Sequence, residues 1–425
     1  MRISRLVQLS AVIGATCLLL SGCNNSSSSG NSMTNGLGGG SGSSSTVAYV
    51  YVTNQTTSSG PNQIVAYSAA ANGQLTAIAG SPFSDNVGSL AASGSYLEGA
   101  AISGPDINSY TIGSNGALTS ASQFNYGQQT GTTPPNNCGS VGDLIFDQTG
   151  QSLYGESGNI QCSNNNAIVS FAVDPSKGTV SYLGNVNIGY EASGLISILG
   201  NNDYAYSALN DSCMYGGVSS FARENSGLLN FTTNSTITPE FGPPAPAGAT
   251  SSGVKLPSYA AGMTAADNSN HVAMAEYPCF AQNGVAATQV QLATYTADAN
   301  GNLTTTDTSA TMPATAISTP QSMKISPSGS YLAIGGIGGL QVFNFNGASP
   351  ITTLTKVLTT DSITQVMWDK SNHLYAITLT GTAYGSNSVS PGKLHVYTVT
   401  SSGATEAPGS PYTITQPVSI AIANE

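Results

Sequence analysis

A strand-like run ending in an aromatic residue, followed by a small polar turn, recurs along the whole chain and limits the folds open to it. It reads IVAY at Tyr67, INSY at Tyr110, IVSF at Phe171, VSSF at Phe221, LATY at Tyr295, LQVF at Phe343 and LHVY at Tyr397, seven copies. Most are followed by a turn rich in Asn, Gly or Ser and a short Leu, Val or Thr run, as in AANGQL, GSNGAL and DANGNL. A second signature precedes the aromatic mark in six units: LAASGSYLEGA, LIFDQTGQSLYG, ISILGNNDYAYS, MTAADNSNHVAMA, MKISPSGSYLAI and VMWDKSNHLYAI. These are hairpins, apolar strands joined by residues that tolerate turn dihedrals. The first unit lacks the leading strand and opens at Val47–Val52, already of second-strand type. The absent strand stands at the other end of the chain, as QPVSIAIANE over residues 416–425. Radially arranged sheets leave two exposed edges unless the ring closes, and an open edge invites aggregation. The expectation is an all-β fold: a seven-bladed β-propeller of four-stranded blades, with the C-terminal strand completing the first blade. An open β-solenoid would need shorter repeats and distinct capping units.

The propeller is expected over residues 46–425. Residues 1–23 form a signal peptide, with a basic start at Arg2 and Arg5 and an apolar run from Leu6 to Leu20 too short to span a bilayer. The segment ends in Leu20-Ser21-Gly22-Cys23, which matches the lipobox of bacterial lipoproteins and makes Cys23 the expected lipidation site. Asn24 in place of Asp argues against retention at the inner membrane, so the expected address is the outer membrane, facing the periplasm or the surface. Residues 24–45 are a Gly/Ser tether with a reach of roughly 25 Å.

Nine basic residues stand against twenty acidic ones, a net charge of −11. Nucleic acid needs clustered Lys and Arg to release counterions, so it is excluded as a partner. Membrane contact is expected through the lipid anchor only. Low charge with abundant Gly, Ser, Thr and Asn fits an extracytoplasmic protein of many strands and turns.

In a propeller, the loops between second and third strands and those between blades open on one face. The insertions QQTGTTPPNNCGSVGD, GESGNIQCSNNN, TPEFGPPAPAGATSSGVKLPSY and EYPCFAQNGVAATQ all map there, which suggests a binding face. Cys138, Cys162, Cys213 and Cys279 lie in the same loops. An even number in an exported chain favours two disulfides. Proximity suggests Cys138–Cys162 and Cys213–Cys279, although three pairings are open. Their spacing does not suit a metal site.

The unit NQIVAYSAAANGQLTAIAGSPF and the SPSGSYLAI-type hairpin resemble the lactonase-like seven-bladed propeller family, which includes 6-phosphogluconolactonase-type enzymes and exported lipoproteins. The resemblance covers residues 46–425 and implies lactone hydrolysis with His, Arg and Glu near a central channel. Those groups do not carry over. His271 and His373 fall in NSNH and KSNH turns opposite the long loops, Arg223 lies on that same side, and His395 sits within a third strand. The carboxylates left on the loop-rich face are Glu156, Glu191, Asp211 and Glu276, with Tyr190, Tyr215, Tyr259 and Tyr277 nearby. Glu156 and Glu276 occupy similar positions after second strands. They are the candidates for acid–base work on a lactone or a glycan, or for a weak Ca²⁺ site; no other cofactor or metal is expected. The favoured expectation is a binding or scaffold module presenting its loops to a protein, peptide or glycan. A lactonase-like hydrolase and a carboxylate-based glycan-active enzyme are the alternatives.

Overall fold

The structure is a computed structural model that describes residues 45–55, 62–128, 141–157, 166–189, 196–208, 217–236, 250–251, 254–255, 258–279, 289–379 and 391–425. The signal peptide, Cys23, the tether and most of the long loops lie outside these residues.

Seven antiparallel sheets follow one another in chain order. Their innermost strands are Pro417–Asn424 in blade 1, Val87–Ser93 in blade 2, Val141–Phe146 in blade 3 and Ile196–Ile198 in blade 4. They continue as Tyr259–Ala266 in blade 5, Thr319–Ile325 in blade 6 and Ser362–Trp368 in blade 7. Each next strand outward is the next in sequence, except where the ring closes. There the C-terminal Pro417–Asn424 pairs with Thr46–Gln55, as in Val50↔Ile422 and Val52↔Ile420.

The core explains why inner strands such as VAYVYV are apolar on both faces. Among the described residues, buried side chains divide into seven clusters, one at each interface between neighbouring blades. Strand alternation sends Val50, Val52, Ile420 and Ile422 toward blade 7, and Tyr49, Tyr51, Ala421 and Ala423 toward blade 2. No blade has a core of its own, so stability comes from its neighbours.

Polar latches add direction to this packing. Tyrosines near the start of second strands reach the outer turn of the next blade: Tyr51 Oη donates to the Gly116 carbonyl at 2.8 Å, Tyr154 to Gly227 at 2.7 Å and Tyr206 to Gly301 at 2.9 Å. Gly116 has φ of +78°, and an added Cβ would lie 2.5 Å from Tyr49 Cδ1. Gly116→Ala should therefore destabilise the fold by about 1–3 kcal/mol, read as a lower urea midpoint at unchanged m-value.

His271 and His373 open second strands rather than occupying the turns expected for them. Their Nδ1 atoms meet Asp267 Oδ2 at 2.8 Å and Asp369 Oδ2 at 2.7 Å. The rings abut Gly347 and Gly73 in the outer turns of the following blades. They replace the latch tyrosines. Arg223 also pins two blades, through Asp147 Oδ2 at 2.7 Å and the Tyr154 hydroxyl at 3.1 Å.

Two blades have five strands rather than the expected four. Phe83–Ser84 and Tyr412–Thr415 return to the third strands of blades 1 and 7. Before them, Ser81 Oγ and Ser410 Oγ accept from the backbone N–H of Ala66 and Val396, each at 2.9 Å. The GSPF and GSPY sequences are thus the same fold-back, written in the two blades that meet at the seam.

Candidate functional site at the channel mouth

The inner strands surround a channel, and near the loop-rich face six of the seven carry a register shift. In blades 2, 6, 7 and 1 the extra residue is Gly88, Gln321, Thr364 and Val418, and all four line the channel mouth. Bulges re-aim side chains at rims. The next residue in these blades turns to its neighbour instead. Ser419 Oγ accepts from Leu90 N at 3.1 Å, Ser89 Oγ from Leu144 N at 2.8 Å, and Ser322 Oγ from Val366 N at 3.0 Å. Gln365 Oε1 accepts from Ile420 N at 2.8 Å. The motif sets a rigid ring around the mouth.

Blade 3 departs from the pattern. Its shift lies between Gly142 and Ile145 and places Asp143 at the rim with φ of 50°, a left-handed conformation that Asp tolerates. Lys324 projects from blade 6 into the same cavity, which measures about 550 Å³. Lys324 and Asp143 interact through space without forming an ion pair at contact distance. Asp143 is exposed at the channel wall and Lys324 is half-buried.

Burial raises the Asp143 carboxyl above its usual range, and the positive charge of Lys324 partly offsets this. Burial lowers the Lys324 amine, and Asp143 partly restores it. Glu156 lies on the adjacent strand, opposite Gly142. It is pushed up to about 7, first by burial and then by the charge of Asp143. A carboxyl and an amine with displaced titration in one cavity, and a second carboxyl coupled to the first, are the usual sign of a functional site.

The sequence-derived candidates divide. Glu156 belongs to this cluster, within its second strand rather than after it. Glu276 does not: it is fully buried between blades 4 and 5, its Oε1 bonded to the Tyr295 hydroxyl, so it forms no pair with Glu156. Burial pushes it up to about 8. Tyr259 is also buried. Glu191, Asp211, Tyr190 and Tyr215 lie outside the described residues, as do Cys138, Cys162 and Cys213. Cys279 is disulfide-bonded.

His395 is buried as expected of a packed strand residue, yet its ring also meets charge, with Nδ1 2.9 Å from Glu406 Oε1 and Nε2 3.3 Å from Asp361 Oδ2. It lies away from the mouth. Asp143 and Lys324 are the residues that sequence reasoning missed. The signal was present: VGDLIF carries an acid where VGSLAA, TPQSMKI and QPVSIAI carry Ser.

No protein-family model and no curated protein matches the sequence. Many solved structures do. A functionally unknown protein from Desulfotomaculum acetoxidans is 15% identical, with 88% of this chain and 99% of that one covered and a TM-score of 0.55. This chain is similar to lactonase-like propellers. The periplasmic gluconolactonase of Pseudomonas aeruginosa is among the matches, at 15% identity, 73% and 96% coverage and a TM-score of 0.43. A hypothetical selenium-binding protein from Sulfolobus tokodaii, 9% identical over 89% and 94% of the two chains, has a TM-score of 0.58. At these identities the likeness is one of fold, on which function varies freely.

Proposed function

We propose that the protein is an extracytoplasmic, lipid-tethered propeller that binds a small ligand in the channel mouth of its loop-rich face. The observation that carries this reading is the convergence of Asp143 and Lys324 on one cavity, with Glu156 coupled to Asp143 from the adjacent strand. Ile102 and Val418, two of the few exposed large apolar side chains, line the same cavity. The ligand therefore combines polar groups with an aliphatic part. None of the described lining residues is aromatic, which disfavours sugar stacking. The lipobox at Cys23, the tether over 24–45 and the disulfide at Cys279 support an oxidising compartment and an outer-membrane anchor.

The test is a thermal-shift screen of small acids, lactones, short peptides and oligosaccharides. A ligand of this site should lose at least about tenfold in affinity with Lys324→Met, a difference of about 1.4 kcal/mol. Hits that bind the variant as well as the parent chain would remove the mouth as the site.

Lactone hydrolysis is the second reading, favoured by Glu156, which is pushed up to about 7 beside Asp143, with Lys324 in the cavity that Asp143 lines. Ionised Glu156 takes a proton from water, the water oxygen attacks the lactone carbonyl, and Lys324 stabilises the oxyanion. Turnover should then rise with pH through about 7 and fall about 10²- to 10⁴-fold in Glu156→Gln. A broad lactone panel left unhydrolysed would end this reading.

A further inference from the structure

Lys324 lines both the upper cavity and a second cavity further along the channel, so it stands at the waist of the passage. It is the only amine among the described residues lining the upper cavity. The backbone is fixed, because its carbonyl accepts the Trp368 indole N–H at 3.0 Å. Lys393 is held by Asp361 at 2.7 Å and Lys177 by Asp174 at 3.4 Å, whereas Lys324 has no carboxylate at ion-pair distance among the described residues. Instead an acid, Asp143, faces the same space.

We propose that Lys324 is a nucleophilic amine that captures small aliphatic aldehydes as imines within the channel. This rests on the reading of the mouth as the ligand site and names the chemistry for it. The free Nζ lone pair attacks the carbonyl carbon, forming a C–N bond while the oxygen takes a proton to give a carbinolamine. A proton delivered from the Asp143 side then lets that oxygen leave as water, and the nitrogen loses its remaining proton to leave a C=N bond. Burial lowers the Lys324 amine and raises the Asp143 carboxyl, directions that suit the two halves of the step. The aliphatic lip of Ile102 and Val418 accounts for the preference for an alkyl substituent.

The experiment is reductive trapping on the full chain at pH 7. Butanal is added with cyanoborohydride, which delivers hydride to the imine carbon, and the peptides are mapped by mass. Lys324 should gain the butyl group several-fold faster than exposed Lys177, since it lines the cavity with no carboxylate at ion-pair distance among the described residues whereas Lys177 pairs with Asp174. Asp143→Asn should slow labelling at Lys324 and leave Lys177 unchanged. Ile102→Ser should slow butanal more than acetaldehyde. Lys324 labelled no faster than Lys177 overturns the proposal. If a noncovalent ligand still stabilises the protein through the mouth, only the imine chemistry falls; if no ligand does so either, the binding reading falls with it.

Discussion

Removal of residues 416–425 should abolish the folded protein. The deleted strand carries Ile420, Ala421, Ile422 and Ala423, all buried, and supplies side chains to the cores on both sides of blade 1. Burial of the two isoleucines alone contributes about 3–6 kcal/mol. The deletion also strips the hydrogen-bonding partner from Val47–Val52, removes the Ser419–Leu90 and Gln365–Ile420 links, and opens the channel wall. Against a total stability of about 5–15 kcal/mol, these losses leave little. The expected result is insoluble protein, or a soluble fraction without a cooperative thermal transition by circular dichroism. A truncated chain that melts within about 5 °C of the full one would show that ring closure contributes little. A synthetic peptide of residues 416–425 should restore part of the transition, because the vacated edge is a template for strand addition.

The second large effect concerns pH. Glu98 and Glu276 are both completely buried, and each has one carboxyl oxygen without a hydrogen-bond partner among the described residues. Ser109 Oγ donates to Glu98 Oε2 at 2.6 Å, and the Tyr295 hydroxyl donates to Glu276. Burial pushes each up to about 8 from 4.5. The unfolded chain therefore releases these protons at lower pH than the folded one, and stability falls as pH rises from about 4.5 to about 8. Each group costs about 2–5 kcal/mol of stability at the upper end of that window. Asp361 acts in the opposite sense: Lys393, and then His395, hold it below its usual range, so its contribution is lost in acid. Maximum stability is expected near pH 5. Glu276→Gln retains an acceptor for Tyr295 and should flatten the profile, raising the urea midpoint at pH 8 more than at pH 5. An equal shift at both values would mean that Glu276 is not protonated in the folded state at neutral pH.

Much of the architecture was legible in sequence because the propeller's physics is local and repeated. Strand, turn and strand are written within each unit, and the turn chemistry of AANGQL or DNSNH needs only a few consecutive residues. The lone strand QPVSIAIANE also pointed to closure, since an unpaired inner strand and a unit lacking one complement each other. The alternation within VAYVYV likewise showed two apolar faces, although not which blade each would meet.

The site was legible only in part. Glu156 could be placed at the loop-rich end of its strand from the repeat alone, and so could Glu276. Their fates differ because of what surrounds each: Tyr295 and a closed interface between blades for Glu276, and Asp143 at the channel rim for Glu156. Asp143 and Lys324 come from different blades and meet only across the axis, which no pattern within one unit encodes. Likewise, the two turn histidines gained their role from glycines one blade away. Sequence by itself determined the number of blades, their strand order and the seam, because those depend on periodicity and on pairing every edge. Tertiary structure alone decided which charges share a cavity, since electrostatic coupling and burial depend on distance through space and not along the chain.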